Sequence, residues 1–205
     1  MNVRFGKEAV TRQPHLLAHN VRSALEMKDA GTMPRGISIK CLNETASPVM
    51  KLWDEASSFE SVASMRQLNY PPHITLAVLT ENLAGVDAVL DDVFGSQPSL
   101  CIPFVEIRYF ENDFLVLWAR PRDDHDLLKL HARLHRHIDP AICEQHYRVG
   151  GWTPHCSLAT RVPAASAGEA KQWAQQKRTE FTVVFDAADI VHFPPVVVER
   201  EHRLR

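Results

Sequence analysis

The sequence predicts an α+β fold of two pseudo-symmetric lobes. Stretches with strand periodicity mix with stretches of helical periodicity along the chain. Their order in the first half recurs in the second, and no linker rich in Gly and Ser separates the halves. At 205 residues, 45% hydrophobic and 23% charged, the chain can bury a full core shared by both lobes. The expected organisation is an N-terminal extension over 1–35 and a single bilobal domain over 36–205.

Each element has its own signal. The extension is mixed and polar, with an amphipathic pattern in HLLAHNVRSALEMKDAG that Gly31 would end. GISIKCLN (36–43) alternates apolar and polar residues and is rich in β-branched side chains, which predicts a strand. Ser47 and Pro48 open a helical run through VMKLWDEASSFESVASMRQL. HITLAVL (73–79) reads as a strand. NLAGVDAVLDDVF (82–94) reads as a helix with Leu83, Val86, Val89, Leu90 and Phe94 on one face.

The second half repeats this outline. LCIPFVEIRYF (100–110) and FLVLWAR (114–120) are predicted strands joined by a turn at Glu111-Asn112-Asp113. DHDLLKLHARLHRHI (124–138) is a predicted helix with Leu127, Leu130, Leu134 and Ile138 at helical spacing. HCSLATRV (155–162) is a strand, SAGEAKQWAQQK (166–177) a helix, FTVVFDAADIVHF (181–193) one or two strands, and VVVEREHRLR an edge strand.

Two octapeptides match. YPPHITLA (70–77) and WTPHCSLA (152–159) both read aromatic, any residue, Pro, His, apolar, small hydroxyl, Leu, Ala. A lone H-x-[ST] arises by chance, so the shared flanks are what single these two out. Successive strand side chains face opposite ways, which puts His73 with Thr75 on one face and Ile74 with Leu76 on the other. His155 and Ser157 pair likewise, with Cys156 and Leu158 turned inward. Such a strand has one face in the core and one lining a cleft.

Two His-hydroxyl pairs suit displacement at phosphorus. Hydrolysis of a cyclic phosphodiester needs a base for water and an acid for the leaving oxygen, and imidazole, with a pKa near about 6.5, serves as either. The hydroxyls of Thr75 and Ser157 would donate to non-bridging oxygens as charge builds. The scheme calls for no metal and no cofactor.

On these residues the chain resembles the two-histidine (2H) phosphoesterase superfamily, which includes the bacterial RNA 2',3'-cyclic phosphodiesterases, also called 2'-5' RNA ligases. The outline matches over residues 36–200, and the motif content rests on the two octapeptides, with serine in place of threonine in the second. The resemblance implies two lobes, each with an antiparallel sheet and flanking helices, around a central cleft carrying one motif from each lobe. It also implies metal-independent cleavage of a cyclic or 2'-5' phosphodiester in an RNA end or nucleotide, with catalytic roles for His73, Thr75, His155 and Ser157. End-joining by the same residues run in reverse is one alternative. A catalytically silent RNA- or nucleotide-binding module is another, and a metal site built from the chain's 11 histidines is a third.

Other residues carry weaker signals. Tyr70 and Trp152, three before each histidine, are candidates to stack on a base; either is equally readable as core packing. Arg108, Arg120, Arg148 and Arg161 are candidate phosphate clamps by type alone. His131 and His135 stand at i and i+4, but HARLH lacks the glutamate of a zinc motif, so they read as a solvated helix face. A net charge of −2 means that any nucleic acid must be gripped locally. Cys41, Cys101, Cys143 and Cys156 follow no metal or disulfide spacing and read as free thiols. The absence of a long apolar run or a signal-peptide pattern predicts a cytoplasmic location without a membrane partner.

Overall fold

The computed structural model describes residues 33–205. The helical pattern ending at Gly31 lies outside them. Among the described residues, eight strands form two four-stranded sheets in which every pairing is antiparallel. The first runs β2 (His73–Leu79), β1 (Arg35–Lys40), β7 (Ala187–His192), β8 (Val197–Arg203). The second runs β5 (Cys156–Val162), β4 (Leu115–Pro121), β3 (Leu100–Glu111), β6 (Phe181–Phe185). With helices flanking them, these sheets are the two pseudo-symmetric lobes of the expected α+β fold. Each sheet carries its H-x-[ST] octapeptide on an edge strand, β2 in one and β5 in the other.

FTVVFDAADIVHF divides between the lobes. Phe181–Phe185 pairs with β3 and Ala187–His192 with β1, so Asp186 alone spans the step from one sheet to the other. Its carboxylate accepts from Leu42 N at 2.7 Å, and its backbone bonds both Lys40 and Leu204. One continuous core fills the space between the sheets, with Ile37 and Leu76 from the first and Leu117 and Leu158 from the second among its buried members.

Five helices flank the sheets: α1 (Ser47–Ala56), α2 (Ser64–Gln67), α3 (Val86–Phe94), α4 (His125–Leu134) and α5 (Ala167–Ala174). Helix α1 starts with Pro48 in its first turn and buries Val49, Leu52, Trp53 and Ala56, a stripe at i, i+3, i+4 and i+7. The long helical run expected through residue 68 breaks at Glu60–Ala63. Glu60 folds back there, its carboxylate accepting from Ser64 N at 2.9 Å and from Thr160 N and Arg161 N of β5 at 3.0 and 2.6 Å. The helix expected over 82–94 starts only at Val86, because Gly85 adopts φ 64° and turns the chain; Leu83 lies before it.

Helix α4 ends at Leu134, short of the expected 138. Asp124 caps it, accepting from Asp126 N and Leu127 N at 2.8 and 3.0 Å. Its buried stripe is Leu127, Leu130, His131 and Leu134, so the expectation of a solvated His131 is corrected. His131 occupies the i+4 position of the core stripe, is 4% exposed, and donates from Nε2 to Tyr147 O at 2.8 Å. His135 is half-buried and donates to Leu76 O on the edge of β2 at 3.1 Å. All four cysteines are free thiols. No helix among the described residues is long and apolar enough to cross a membrane.

Candidate active site

Strand alternation places the motif side chains as its period dictates. Ile74, Leu76, Cys156 and Leu158 are buried, whereas His73, Thr75, His155 and Ser157 between them are partly exposed. His155 itself stands one residue before the start of β5. The two motif strands pack against one another. The histidines are close enough that a proton on His73 disfavours one on His155.

Both imidazoles are held the same way. His73 Nδ1 lies 2.9 Å from Pro71 O, and His155 Nδ1 lies 2.8 Å from Thr153 O, in each case the carbonyl two residues earlier. A carbonyl only accepts, so Nδ1 carries the proton and Nε2 of the neutral ring keeps its lone pair. Burial holds both rings below the ordinary histidine pKa, against the opposing pull of these carbonyls. The Lys40 ammonium adds to the depression at His73, and His73 adds to that at His155.

The floor beneath His73 is polar and buried. Lys40 and Ser38 on β1 pair in register with His73 and Thr75, so their side chains share a face. Ser38 Oγ donates to Thr75 Oγ1 at 3.3 Å, which leaves the Thr75 hydroxyl proton for another acceptor. Lys40 Nζ lies 2.6 Å from Asp189 Oδ2 and 2.6 Å from Glu201 Oε2, with Asp189 fully buried. Tyr70 donates to the other Asp189 oxygen at 2.5 Å, and its ring meets His73 edge-on at 4.8 Å. At 7% exposure Tyr70 is a wall of the histidine pocket.

The surroundings of His155 are aromatic instead. Phe110 and Trp118 stack on each other at 4.7 Å and meet the His155 ring edge-on at 5.4 and 5.8 Å. Trp152 lies flat on His131 at 4.0 Å and donates from Nε1 to Thr75 O at 3.0 Å. Trp53 makes the counterpart bond to Ser157 O at 2.9 Å. Each edge strand thus has the carbonyl of its motif hydroxyl residue bound by an indole reaching from elsewhere in the chain. Burial pushes the Cys156 thiol up to about 12, so it stays protonated at neutral pH.

Sequence reasoning missed Ser38, Lys40, Asp189, Phe110, Trp118 and Trp53. Asp189 among the apolar residues of AADIV and a lysine inside GISIKCLN were the available signals, yet their pairing joins positions 149 apart in sequence. Of the candidate arginines, Arg108 and Arg120 line a groove with Trp118, Thr153 and Pro154, Arg148 is turned to Cys143 O, and Arg161 is exposed on β5. Among the described residues, no group of three or more His, Cys, Asp or Glu side chains is arranged to hold a metal ion.

A family model for the 2'-5' RNA ligase superfamily matches residues 48–193. No curated protein matches the sequence. Among solved structures, TT0787 of Thermus thermophilus superposes with a TM-score of 0.56 at 17% identity, covering 84% of this chain and 98% of that one. E. coli LigT complexed with 3'-AMP gives 0.57 at 14% identity, with 84% and 98% covered. Kluyveromyces marxianus Usb1 with uridine monophosphate gives 0.50 at 10% identity, with 80% and 96% covered. At these identities the likeness is one of fold.

Proposed function

The chain belongs to the 2'-5' RNA ligase superfamily, and from that premise we propose that it is a phosphodiesterase that opens a 2',3'-cyclic phosphate, or a related cyclic or 2'-5' phosphodiester, by two-histidine acid-base catalysis without a metal. The observation that carries the reading is the matched pair of Nδ1 bonds to Pro71 O and Thr153 O. It gives two neighbouring imidazoles the same tautomer and leaves both Nε2 atoms for proton transfer. LigT binds 3'-AMP and Usb1 binds uridine monophosphate, so nucleotide ligands occur on this fold.

The two sites are not equivalent, and their difference supports an assignment of roles. When one proton is shared, Lys40 beside His73 opposes its protonation, while Phe110 and Trp118 give an imidazolium at His155 aromatic neighbours. His73 is then the base that takes a proton from water. Attack of that oxygen at phosphorus breaks the bond to one ribose oxygen, and His155 gives that oxygen its proton. Thr75 and Ser157 donate to the non-bridging oxygens.

The test is hydrolysis of a 2',3'-cyclic nucleotide panel and of 2'-5' oligoadenylate, followed by phosphorus NMR with EDTA present. His73→Ala and His155→Ala should each lower the rate about 100- to 10,000-fold, with the double variant far from the product of the two. Thr75→Val and Ser157→Ala should cost about 10- to 1,000-fold each. A substrate with a good leaving group should rescue His155→Ala and leave His73→Ala impaired. The reverse rescue swaps the roles, and full activity of both alanine variants ends the mechanism.

A further inference from the structure

A groove of about 240 Å³ reaches Pro154, the residue before His155, and is lined by Arg108, Trp118, Arg120, Trp152, Thr153 and Pro154, among others. It borders the site already described through Trp118 and Thr153. Thr153 supplies the carbonyl that fixes the His155 tautomer, and the Trp118 ring centroid lies 5.8 Å from that of His155.

The groove combines two kinds of recognition. Arg108 on β3 and Arg120 on β4 meet at one carboxylate: Glu106 Oε1 accepts from Arg108 Nε at 2.9 Å and from Arg120 Nη1 at 3.1 Å. Asp123 takes Arg120 Nη2 at 3.3 Å, but its side chain is 91% exposed and its charge is screened. Glu106 therefore orients two guanidiniums side by side. The bond to Arg108 uses only Nε, so among the described residues its two terminal nitrogens are left in a fork that matches phosphate oxygens. The aromatic wall is Trp152, whose ring is covered by His131 on one face and also lines the groove. Trp118 adds a buried indole N–H that meets no acceptor among the described residues, the kind of donor an occupant's oxygen can satisfy.

A nucleotide whose 2' and 3' oxygens are tied up in a cyclic phosphate can continue into a chain only through its 5' oxygen. We propose that the groove is a subsite for the next nucleotide on that side, with Arg108 and Arg120 gripping the internucleotide phosphate and the second base against Trp152. The substrate class is then an RNA 3' end of two or more nucleotides. This inference rests on the phosphodiesterase reading. It also answers how a chain of net charge −2 takes RNA, through a local grip.

The test compares uridine 2',3'-cyclic phosphate, its 5'-phosphorylated form, and the dinucleotide ApU ending in the same cyclic phosphate. The dinucleotide should exceed the mononucleotide in kcat/KM by about tenfold or more, with a gain that shrinks as salt rises. Arg108→Ala, at a half-exposed position where folding is safe, should bring that ratio close to one. A ratio near one in the wild type, or one that survives Arg108→Ala, overturns the subsite. If the 5'-phosphorylated mononucleotide gains as much as the dinucleotide, the groove reads a terminal phosphate and the RNA assignment falls. Calorimetric binding of ApU and U 3'-phosphates repeats the comparison without turnover. If no cyclic phosphate is opened yet the dinucleotide still binds about tenfold tighter through Arg108, the subsite stands and the phosphodiesterase reading fails.

Discussion

At the scale of single residues, histidines in this chain are used in two ways that their local sequence hardly distinguishes. His73 and His155 stand partly exposed at the starts of the two motif strands. His131 is buried in the α4 stripe, where burial first and the charge of His135 second drive its pKa down to about 4. That shift has a direction for stability. The unfolded chain takes up a proton near its ordinary pKa of about 6.5, while the folded form resists until about 4, so stability falls as pH drops through that window. The loss from His131 should be roughly 2–3 kcal/mol between pH 7.5 and pH 4. Urea denaturation of the wild type and His131→Phe at both values tests this: the variant should lose less on acidification, and equal losses would show that other groups set the slope.

At the scale of elements, the two motif strands are sheet edges, and an unpaired edge must be covered or it invites pairing with another chain. The backbone of residues 142–144 covers the end of β2, where Glu144 N donates to Val78 O, and side chains cover the rest. On β2, Thr75 O receives Trp152 and Leu76 O receives His135. On β5, Ser157 O receives Trp53, while Thr160 N and Arg161 N donate to the Glu60 carboxylate. The edges thereby keep their backbone groups bonded. Glu60→Ala removes the acceptor of Arg161 N, one of the two acceptors of Thr160 N (the other is Ser64 Oγ at 2.9 Å), and a bond to the first turn of α2, and should cost about 2–4 kcal/mol. Hydrogen exchange locates the effect: the Arg161 amide should lose protection in the variant, and unchanged protection there would refute the bracing role.

At the scale of the whole molecule, the chain ties its lobes together by passing between them. β1 leads into Asn43 and Thr45, which bond Val184 on β6, and Asp186 carries the chain from β6 directly into β7. Lobes stitched this way and sharing one core should unfold as one unit. Far-UV circular dichroism and tryptophan fluorescence should give coincident urea transitions in the wild type. Asp186→Ala, which strips the acceptor from Leu42 N, should shift both curves together by about 1–3 kcal/mol. Two separated transitions would mean that the sheets are independent.

The sequence by itself determined the element types, the repetition of one outline in two halves, and the pairing of each histidine with a hydroxyl two residues on. Those features are local: strand alternation and helix periodicity act over a few residues, and YPPHITLA and WTPHCSLA carry their own orientation. Element ends were less legible, since Glu60 breaks a helical run in order to reach β5, a contact the local pattern does not encode. Tertiary structure alone decided what surrounds each histidine. Lys40, Asp189 and Tyr70 meet beneath His73, and Phe110 with Trp118 beside His155, through partners as far as 149 positions apart. The two motifs are near-copies, yet the charge and polarity around an imidazole are set by neighbours in space, and it is those neighbours that make one histidine unlike the other.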